Sequence, residues 1–288
     1  MLVTGGGGMV GRAVSEHCRS IGDEVFSYDH QSLDISAADR VVETLRRDRP
    51  DAVVNCAAWT DVDGCELDPE RAFNANARGP ENLALASREL NARLVTISTD
   101  YVFAGEKEGF YTQRDQPNPQ SIYGVSKLEG ERRAQLAQAR TIVVRTGFIF
   151  GPGGNNFLST VVDRARRGEK LKAIGDAYGT PTYSIDLAMR LRELVQLDLP
   201  GIFHVVNAGD GVSYEVFARA ALDAGGFSSA NLTTVATSSL QRPAPRPRNS
   251  RLRCLLSEAI GLSPLPFWKD SLTAFVAKNL PGELAAKS

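Results

Sequence analysis

Residues 1–11 read MLVTGGGGMVG, a short apolar run that leads into a glycine-rich loop and then a helical pattern. The loop places Gly5, Gly8 and Gly11 at three-residue spacing. Glycines at this spacing allow a tight turn, close approach of a pyrophosphate and tight packing of the helix on the strand. The helix N-terminus attracts the negative charge. The stretch therefore predicts a dinucleotide-binding unit, and an ordinary tight turn between strand and helix is the alternative.

The first half of the chain continues this alternation of short β-rich runs and helical patterns. Such alternation predicts βαβ units on a parallel sheet. The expected fold class is α/β, with a Rossmann-type doubly wound parallel sheet. We predict strands at Met1–Thr4, Glu24–Tyr28, Ala52–Asn55, Arg93–Ile97 and Thr141–Arg145, and helices at Val10–Ser20, Ala37–Asp48, Pro80–Leu90 and Tyr123–Gln138.

The alternation breaks near Gly151, which predicts a smaller C-terminal α/β portion that binds substrate. We expect residues 1–148 with 184–206 to form an NAD(P)-binding Rossmann domain, and residues 149–183 with 207–288 to form the substrate-binding portion. The segment Gln241–Ser250, QRPAPRPRNS, contains prolines that exclude helix and favour an extended backbone.

Composition narrows the function classes. With 33 basic and 34 acidic residues the net charge is −1, so we expect no nucleic-acid partner. No segment has the ~20 apolar residues that span a bilayer, so no membrane partner is expected. The four cysteines and three histidines lack the spacing of metal ligands, and no metal is predicted. Scattered cysteines without an export signal favour a cytoplasmic protein.

Two acidic residues follow the predicted second strand. Asp29 lies about 20 residues past the glycine loop, where an acid meets the adenosine ribose. A carboxylate there favours a free 2′-hydroxyl and hence NADH, whereas the neighbouring His30 and Gln31 accommodate NADPH. The predicted cofactor is therefore NADPH or NADH. Asp34 is either an adenine contact or the N-cap of the next helix.

Residues 123–127, YGVSK, place Tyr123 and Lys127 at positions i and i+4 of a predicted helix, and hence on one face. A free tyrosine has a pKa near ~10, and a nearby ammonium lowers that pKa by stabilising the phenolate. The pair therefore predicts a general acid. A solvated helix face is the alternative when the motif stands alone.

The stretch Val95–Phe103, VTISTDYVF, begins as a buried strand and ends in polar side chains that a sheet core does not need. Ligands of open parallel sheets bind beyond the carboxyl ends of the strands. We therefore expect Thr99, just beyond the fourth strand, to contact a substrate carbonyl oxygen beside the proton of Tyr123. Ser98 is expected to be a backbone-bonded support.

Three motifs together, TGxxGxxG, STD and YGxSK, resemble the extended short-chain dehydrogenase/reductase family. Within that family, longer segments resemble the dTDP-4-dehydrorhamnose reductases, and the resemblance covers nearly the whole chain. These segments are NCAAWTDVDGCE (Asn55–Glu66), STDYVF (Ser98–Phe103), YGVSKLEGE (Tyr123–Glu131), RTGFIFGPGGNNF (Arg145–Phe157), GTPTY (Gly179–Tyr183) and RPRNSRL (Arg246–Leu252).

The resemblance implies NAD(P)H-dependent reduction of the C4 ketone of a nucleotide-linked 4-keto-6-deoxyhexose, with dTDP-4-dehydro-L-rhamnose as the expected substrate and dTDP-L-rhamnose as the product. A homodimer is left open. By position, the catalytic residues are Thr99, Tyr123 and Lys127. The implied substrate contacts are Thr99, Asp100, Phe148, Asn156 and Arg246. The implied cofactor contacts are Gly5, Gly8, Met9, Val10, Gly11, Asp29, Asp34, Ile35, Ala57, Ala58, Trp59, Ile97, Tyr123 and Lys127.

Two alternatives share this scaffold. The first is a sugar-nucleotide 4-epimerase or 4,6-dehydratase. The dehydratases carry an Asp-Glu pair after the threonine. Here Asp100 is followed by Tyr101, which disfavours dehydration. The second is a non-catalytic regulatory subunit such as that of methionine adenosyltransferase, which has no chemical need for the threonine, tyrosine and lysine found here. One departure from the reductases is Phe148, where they often carry tryptophan; phenylalanine lacks the indole donor.

Overall fold

The short apolar runs of the first half form strands, and the segments between them form helices. The computed structural model describes residues 1–279. Among these residues, no helix is long and apolar enough to cross a bilayer. The first elements are β1 (Leu2–Thr4), α1 (Met9–Ser20), β2 (Phe26–Tyr28), α2 (Ala38–Asp48), β3 (Ala52–Asn55), α3 (Val62–Leu67), α4 (Pro69–Phe73), α5 (Gly79–Glu89), β4 (Arg93–Thr99), α6 (Ile122–Ala137) and β5 (Thr141–Thr146).

Every strand and helix predicted in this half is present, with ends shifted by at most two residues. The sequence did not predict α3 and α4, which are too short to show a helical period. Their N-caps are nevertheless local: Asp61 accepts a hydrogen bond from the Gly64 N–H at 3.0 Å, and Asp68 accepts one from the Arg71 N–H at 3.0 Å.

The second half consists of shorter strands between longer helices. Its elements are β6 (Ile149–Phe150), α7 (Phe157–Arg166), β7 (Leu171–Ile174), β8 (Tyr178–Gly179), β9 (Thr182–Tyr183), α8 (Ser184–Leu197), β10 (Gly201–His204), β11 (Asn207–Ala208), β12 (Val212–Ser213), α9 (Tyr214–Ala224), β13 (Leu232–Val235), α10 (Leu255–Ala259), β14 (Leu265–Phe267) and α11 (Trp268–Asn279).

Six strands form one parallel sheet in the order β10-β5-β4-β3-β1-β2. The chain leaves β1 for β2 on one side and returns to β3 on the other. The order therefore reverses between β1 and β3, which is the topological switch point where ligands of such sheets bind.

Helices cover both faces of this sheet. Leu2, Val53 and Leu94 point to the face packed by α2, α5 and α6. The next residue of each strand (Val3, Val54 and Val95) points to the other face and packs against α1 and α8. Buried residues on both faces explain why the strands are continuously apolar rather than alternating. The doubly wound α/β fold is confirmed.

The C-terminal portion has an aromatic core of its own, formed by Phe150, Phe217, Trp268 and Phe275 with α7, α9 and α11 around it. The Phe150 and Phe217 ring centroids lie 5.1 Å apart, and those of Phe217 and Trp268 lie 5.9 Å apart. Its strands form the pairs β6–β9, β7–β13, β8–β12 and β11–β14 instead of one sheet. The expected smaller α/β portion is therefore present.

The proline-containing segment Gln241–Ser250, called the strap below, is extended except for bends and one bridge, as predicted. Its backbone reaches both halves of the molecule: the Tyr178 N–H donates to the Arg248 carbonyl at 2.8 Å, and the Asn249 N–H donates to the Gly105 carbonyl at 3.2 Å. The strap therefore connects the edge of the C-terminal portion to the loop that follows β4.

Candidate active site

The glycine loop lies at the switch point and leaves no room for side chains. Gly5 has φ +67°, and a Cβ on it would lie 2.7 Å from backbone atoms of Cys56 and Ala57. A Cβ on Gly11 would lie 2.1 Å from the Gly5 carbonyl oxygen. Because these neighbours are backbone atoms, they cannot give way as a flexible side chain can. The loop places the N-terminus of α1 at the switch point, beside the carboxyl ends of β1 and β3. A helix N-terminus in this position fits a pyrophosphate.

The start of α1 also touches the C-terminal portion. Gly8 is the N-cap, and Met9 and Val10 are the first residues of the helix. The Met9 Sδ lies 3.7 Å from the Ser159 Oγ on α7, and Val10 packs against the core between sheet and α8. This contact places the phosphate-binding end of α1 beside the loop that leads into α7.

The predicted ribose and adenine contacts lie beyond β2. Asp29 is exposed, and hydrogen bonds from the Ser32 hydroxyl and N–H hold the pKa of its carboxyl below the usual value. Asp34 accepts hydrogen bonds from the Ser36 N–H at 2.9 Å and hydroxyl at 2.8 Å. It also lines an open cavity of about 510 Å³ with His30, Ser36, Asp68, Glu70, Arg71, Asn74 and Ala75. Ile35 is buried.

A buried asparagine holds the loop after β3. Asn76 accepts a hydrogen bond from the Trp59 N–H at 2.9 Å and donates to the Trp59 carbonyl at 3.0 Å. It also donates to the Ser126 hydroxyl on α6 at 3.1 Å. The Ala57 N–H donates to the Asn55 side chain at 3.1 Å. Among the predicted cofactor-contacting residues of this loop, Trp59 is thus tied to α6 and Ala57 to the end of β3. Sequence reasoning missed the link to α6 because Asn76 belongs to no motif.

Tyr123 and Lys127 lie on one face of α6 and are both buried, as their spacing predicts. The Lys127 Nζ donates to the Ile97 carbonyl oxygen at 2.7 Å, which ties the helix to β4. Burial lowers the pKa of Lys127 to about 8, and the Glu131 carboxylate opposes this shift.

The phenol of Tyr123 differs from the expectation of a lowered pKa. Burial raises the pKa of Tyr123 above its usual value, and the Thr99 hydroxyl, which faces the phenol, opposes this shift. The low polarity around the ring disfavours the phenolate more than its polar neighbours stabilise it. Tyr123 is therefore a neutral phenol at neutral pH, the form that can donate a proton.

Thr99 is the last residue of β4, so the strand extends two residues beyond the predicted end at Ile97. Ser98 and Thr99 are paired with Arg145 and Thr146 of β5, which explains the extension. The Thr99 hydroxyl donates to the Asp100 carboxylate at 3.1 Å and accepts a hydrogen bond from the Tyr101 N–H at 3.2 Å. Its orientation is thus fixed from two sides.

Asp100 is buried between the sheet and the strap. Its carboxylate accepts hydrogen bonds from the Thr99 and Ser250 hydroxyls, and a Cβ on Gly147 would lie 2.3 Å from it. Burial raises the pKa of Asp100 to about 6, although the two hydroxyls oppose the shift. The carboxylate therefore connects the end of β4 to the strap. Ser250 lies within the segment RPRNSRL, but the sequence assigned it no role.

Aromatic rings pack next to Tyr123 and at the start of the C-terminal portion. The ring of Tyr101 packs edge-on against Tyr123, with centroids 5.9 Å apart. Phe148 has φ +48°, and its ring lies 4.3 Å from that of Tyr214, the first residue of α9. A Cβ on Gly179 would lie 2.2 Å from the Phe148 ring, so the glycine makes room for it. Sequence reasoning missed Tyr214 because its position depends on tertiary packing alone.

Two further predicted residues are engaged elsewhere in the protein. Arg246 of the strap donates from Nη1 and Nη2 to the Asp63 carboxylate of α3 at 2.6 and 2.8 Å. Asp63 and Arg246 thus join the loop after β3 to the strap. Asn156 is the N-cap of α7: it accepts a hydrogen bond from the Ser159 N–H at 2.9 Å and donates to the Ile149 carbonyl at 2.9 Å. Both polar atoms of the Asn156 amide therefore have partners within the protein.

The glycine loop at the switch point, followed by a buried Tyr-Lys pair beside a strand-end threonine, is the arrangement of the extended short-chain dehydrogenase/reductase class. The model of the family described as RmlD substrate binding domain matches residues 1–280. This chain belongs to that family.

Relatives with established names agree with this assignment. The dTDP-4-dehydrorhamnose reductase of Mycolicibacterium smegmatis is 37% identical over 280 residues, which cover 96% of this chain and 85% of the relative. The crystal structure of a dTDP-4-dehydrorhamnose reductase from Clostridium acetobutylicum is 36% identical with a TM-score of 0.91, covering 96% of this chain and 98% of the other. That of the Bacillus anthracis enzyme in complex with NADP is 31% identical with a TM-score of 0.92, with the same coverage.

Proposed function

We propose that this protein reduces the C4 ketone of a nucleotide-linked 4-keto-6-deoxyhexose with NADPH or NADH, and that the substrate is dTDP-4-dehydro-L-rhamnose and the product dTDP-L-rhamnose. The observation that carries the proposal is the buried, neutral phenol of Tyr123 facing the Thr99 hydroxyl at the carboxyl end of the sheet. Relatives named dTDP-4-dehydrorhamnose reductase, similar over 94% or more of this chain, support the choice of sugar.

The residues at the switch point fit a dinucleotide. The Gly5 and Gly11 positions leave the loop without side chains, and the N-terminus of α1 supplies N–H groups for the pyrophosphate. Asp29 would hold the adenosine ribose, Asp34 and Ile35 the adenine, and Lys127 the nicotinamide ribose. The Ala57–Trp59 loop and Ile97 would contact the part of the cofactor between its adenosine and its nicotinamide ribose. When bound, the reduced nicotinamide supplies the hydride that the ketone accepts.

Tyr123 and Thr99 would act on the ketone oxygen. Tyr123 donates its proton to the oxygen as negative charge develops there, and Thr99 orients the carbonyl beside the phenol. The Thr99 hydroxyl donates its single proton to Asp100 at 3.1 Å, so it would turn this proton to the ketone oxygen when substrate binds. Because the phenol has a raised pKa, the proton is present at neutral pH. Lys127, one turn further along α6, would stabilise the phenolate that remains after proton transfer.

Substrate recognition would come mainly from the C-terminal portion and from Phe148, which directly precedes it. Phe148 and Tyr214 would offer ring faces to the sugar or base. Arg246, which is paired with Asp63, would offer its guanidinium to the diphosphate by turning part of it away from that carboxylate. Asn156 would contribute only after leaving its helix-cap contacts. We accordingly propose residues 1–148 with 184–206 as the cofactor domain and 149–183 with 207–279 as the substrate portion; residues 280–288 of the expected range lie outside the described residues.

The 4,6-dehydratase alternative needs a second carboxylate after Asp100. The side chain at that position belongs to Tyr101, whose ring packs edge-on against Tyr123. Dehydration therefore lacks an acid/base partner at this place. A regulatory subunit would need neither the Thr99 hydroxyl nor a buried Lys127, and both are held by hydrogen bonds here.

The decisive experiment follows the absorbance of NADPH or NADH with purified protein and enzymatically generated dTDP-4-dehydro-L-rhamnose. We expect oxidation of the nicotinamide together with formation of dTDP-L-rhamnose, and loss of both in Tyr123→Phe. Cofactor binding without any oxidation would reject the reductase assignment for this sugar. Co-purification of a partner enzyme in that case would support the regulatory alternative.

A further inference from the structure

Glu131 is a buried carboxylate that the proposed reaction does not yet use. It lies on α6 one turn beyond Lys127 and is 3% exposed. Arg145 of β5 donates to it from Nε at 2.9 Å and from Nη2 at 2.7 Å. The Ser98 hydroxyl donates to the same carboxylate at 2.5 Å, so the expectation that Ser98 bonds to the backbone is wrong. Three elements, α6, β4 and β5, therefore meet at this one side chain.

These contacts adjoin the proposed catalytic groups. Ser98 stands between Ile97, whose carbonyl accepts the Lys127 hydrogen bond, and Thr99, whose hydroxyl faces Tyr123. Glu131 and Lys127 thus bind successive residues of β4 from successive turns of α6. Displacement of Glu131 would move the Lys127 tether and the Thr99 hydroxyl together.

We propose that Glu131 is a positioning residue for the reduction: held by Arg145 and Ser98, its carboxylate keeps Lys127 in the ammonium form and fixes α6 against the end of β4. The inference rests on the proposed function, because Glu131 would position Lys127 and Thr99, the residues next to the proposed proton donor Tyr123. Arg145 in turn limits how much negative charge Glu131 presents to Lys127.

The groups around Lys127 define the charge balance. Besides Glu131 on its own helix, the titratable groups that act on the Lys127 ammonium are Cys56 after β3 and Cys65 of α3. Burial raises the pKa of Cys56 to about 12 and that of Cys65 to about 11, so both thiols are neutral at neutral pH. His204, the β10 partner of Arg145, is also neutral, because burial lowers its pKa to about 4. One carboxylate therefore balances two buried cations, Lys127 and Arg145.

This balance gives opposite expectations for the two partners of the ion pair. Glu131→Gln removes the only negative charge of the group and leaves Arg145 to repel the ammonium, so the pKa of Lys127 falls by about one unit or more. Arg145→Met removes the other cation near Glu131, so that the carboxylate acts on Lys127 alone and the pKa of Lys127 rises by about the same amount. The reduction rate declines as pH rises through this pKa, because the ammonium is lost.

The test measures the Lys127 side chain directly and then the rate. We would titrate the Lys127 ε-methylene signal by NMR in cofactor-free protein, with Lys127→Arg for assignment, and record the pH profile of kcat. Glu131→Gln should move both transitions to lower pH and Arg145→Met to higher pH. The NMR titration stands even if the proposed substrate is not reduced, so failure of the function and failure of the inference are distinguishable.

Two controls make the outcome decisive. Glu129 lies on the same helix but pairs with Arg133 at the surface, so Glu129→Gln should leave the Lys127 titration unchanged. If Glu131→Gln does not fold, Arg145→Met is compared with the double variant Glu131→Gln/Arg145→Met. The two differ only in the Glu131 carboxylate, and we expect the pKa of Lys127 to be lower in the double variant. Shifts in the same direction for both partners, no shift, or an equal shift in Glu129→Gln would overturn the proposal.

Discussion

The six-stranded sheet and the C-terminal portion contribute to the site in different ways. The sheet with α6 supplies Thr99, Tyr123 and Lys127, all of them buried. Hydrogen bonds hold Thr99 to Asp100 and Lys127 to the Ile97 carbonyl. The C-terminal portion, with the residues that lead into it, supplies Phe148 and Tyr214. The groups that would move protons are therefore fixed by a continuous structure, whereas those that would recognise substrate lie on short elements.

This difference predicts a division of kinetic effects between the two regions. Substitutions at the end of the sheet should lower kcat, because they remove interactions made with the reacting atoms. Substitutions in the C-terminal portion or the strap should raise KM for the nucleotide sugar and leave kcat nearly unchanged. The predictions below test this division.

The largest effect is expected for Tyr123→Phe. Loss of the phenolic proton should reduce kcat by about 10²–10⁴-fold, the usual contribution of a general acid. The ring would still pack edge-on against Tyr101, so NADPH binding measured by fluorescence should be retained. Full activity in Tyr123→Phe would show that Tyr123 is not the proton donor. It would also contradict the proposed division of kinetic effects between the two regions.

A smaller loss is expected for Thr99→Val, which keeps the shape of the side chain and removes its hydroxyl. One missing hydrogen-bonding group at a developing oxyanion costs about 10²-fold in kcat. Thr99→Ser restores the hydroxyl and should recover most of the rate. The measurement is steady-state kinetics of both variants; full activity in Thr99→Val together with a loss in Thr99→Ser would show that the methyl packing, not the hydroxyl, matters.

The strap provides the contrasting case. Arg246→Gln should raise KM for the nucleotide sugar by about tenfold, the value of one charge-assisted hydrogen bond, with kcat within about twofold. Arg248 is an exposed arginine of the same strap, so Arg248→Gln is the matched control and should change neither constant. A fall in kcat with unchanged KM would contradict the division of tasks.

The smallest effect is expected at the cofactor end of the sheet. Asp29 is fully exposed, and its ionised carboxylate disfavours a 2′-phosphate. Asp29→Asn should change the ratio of KM values for NADPH and NADH by a few-fold in favour of NADPH. Asp39→Asn, at an exposed acid on α2, serves as the control and should leave the ratio unchanged. An unchanged ratio in Asp29→Asn would mean that Asp29 only stabilises its turn with Ser32.

Most of the sheet was predictable because its signals are local. Apolar runs buried on both faces, the glycine loop and the helix periods predicted the five strands and the four longer helices of residues 1–146 to within two residues. The pair on α6 was also predictable, since positions i and i+4 share a face in any helix. The short helices α3 and α4 were missed, because five or six residues do not display a period.

Several contacts of the site had no local signal. Asp63 pairs with Arg246 across 183 positions of sequence, and Ser250 reaches Asp100 across 150. Tyr214 meets Phe148 only because α9 packs against the aromatic core and Gly179 leaves space for the ring. Such contacts depend on how the two regions pack, which a single sequence without long-range pairing information does not specify.

The sequence by itself determined the glycine loop, the order of strands and helices, and the Tyr123–Lys127 pair, because each depends on neighbours within a few residues. Only the tertiary structure decided the electrostatics. The spacing of tyrosine and lysine predicted a lowered phenol pKa, whereas burial raises it. The Glu131–Arg145 pair likewise exists only when α6 lies on β5. The pKa of a group depends on the solvent it loses and the charges that surround it, and folding alone sets both.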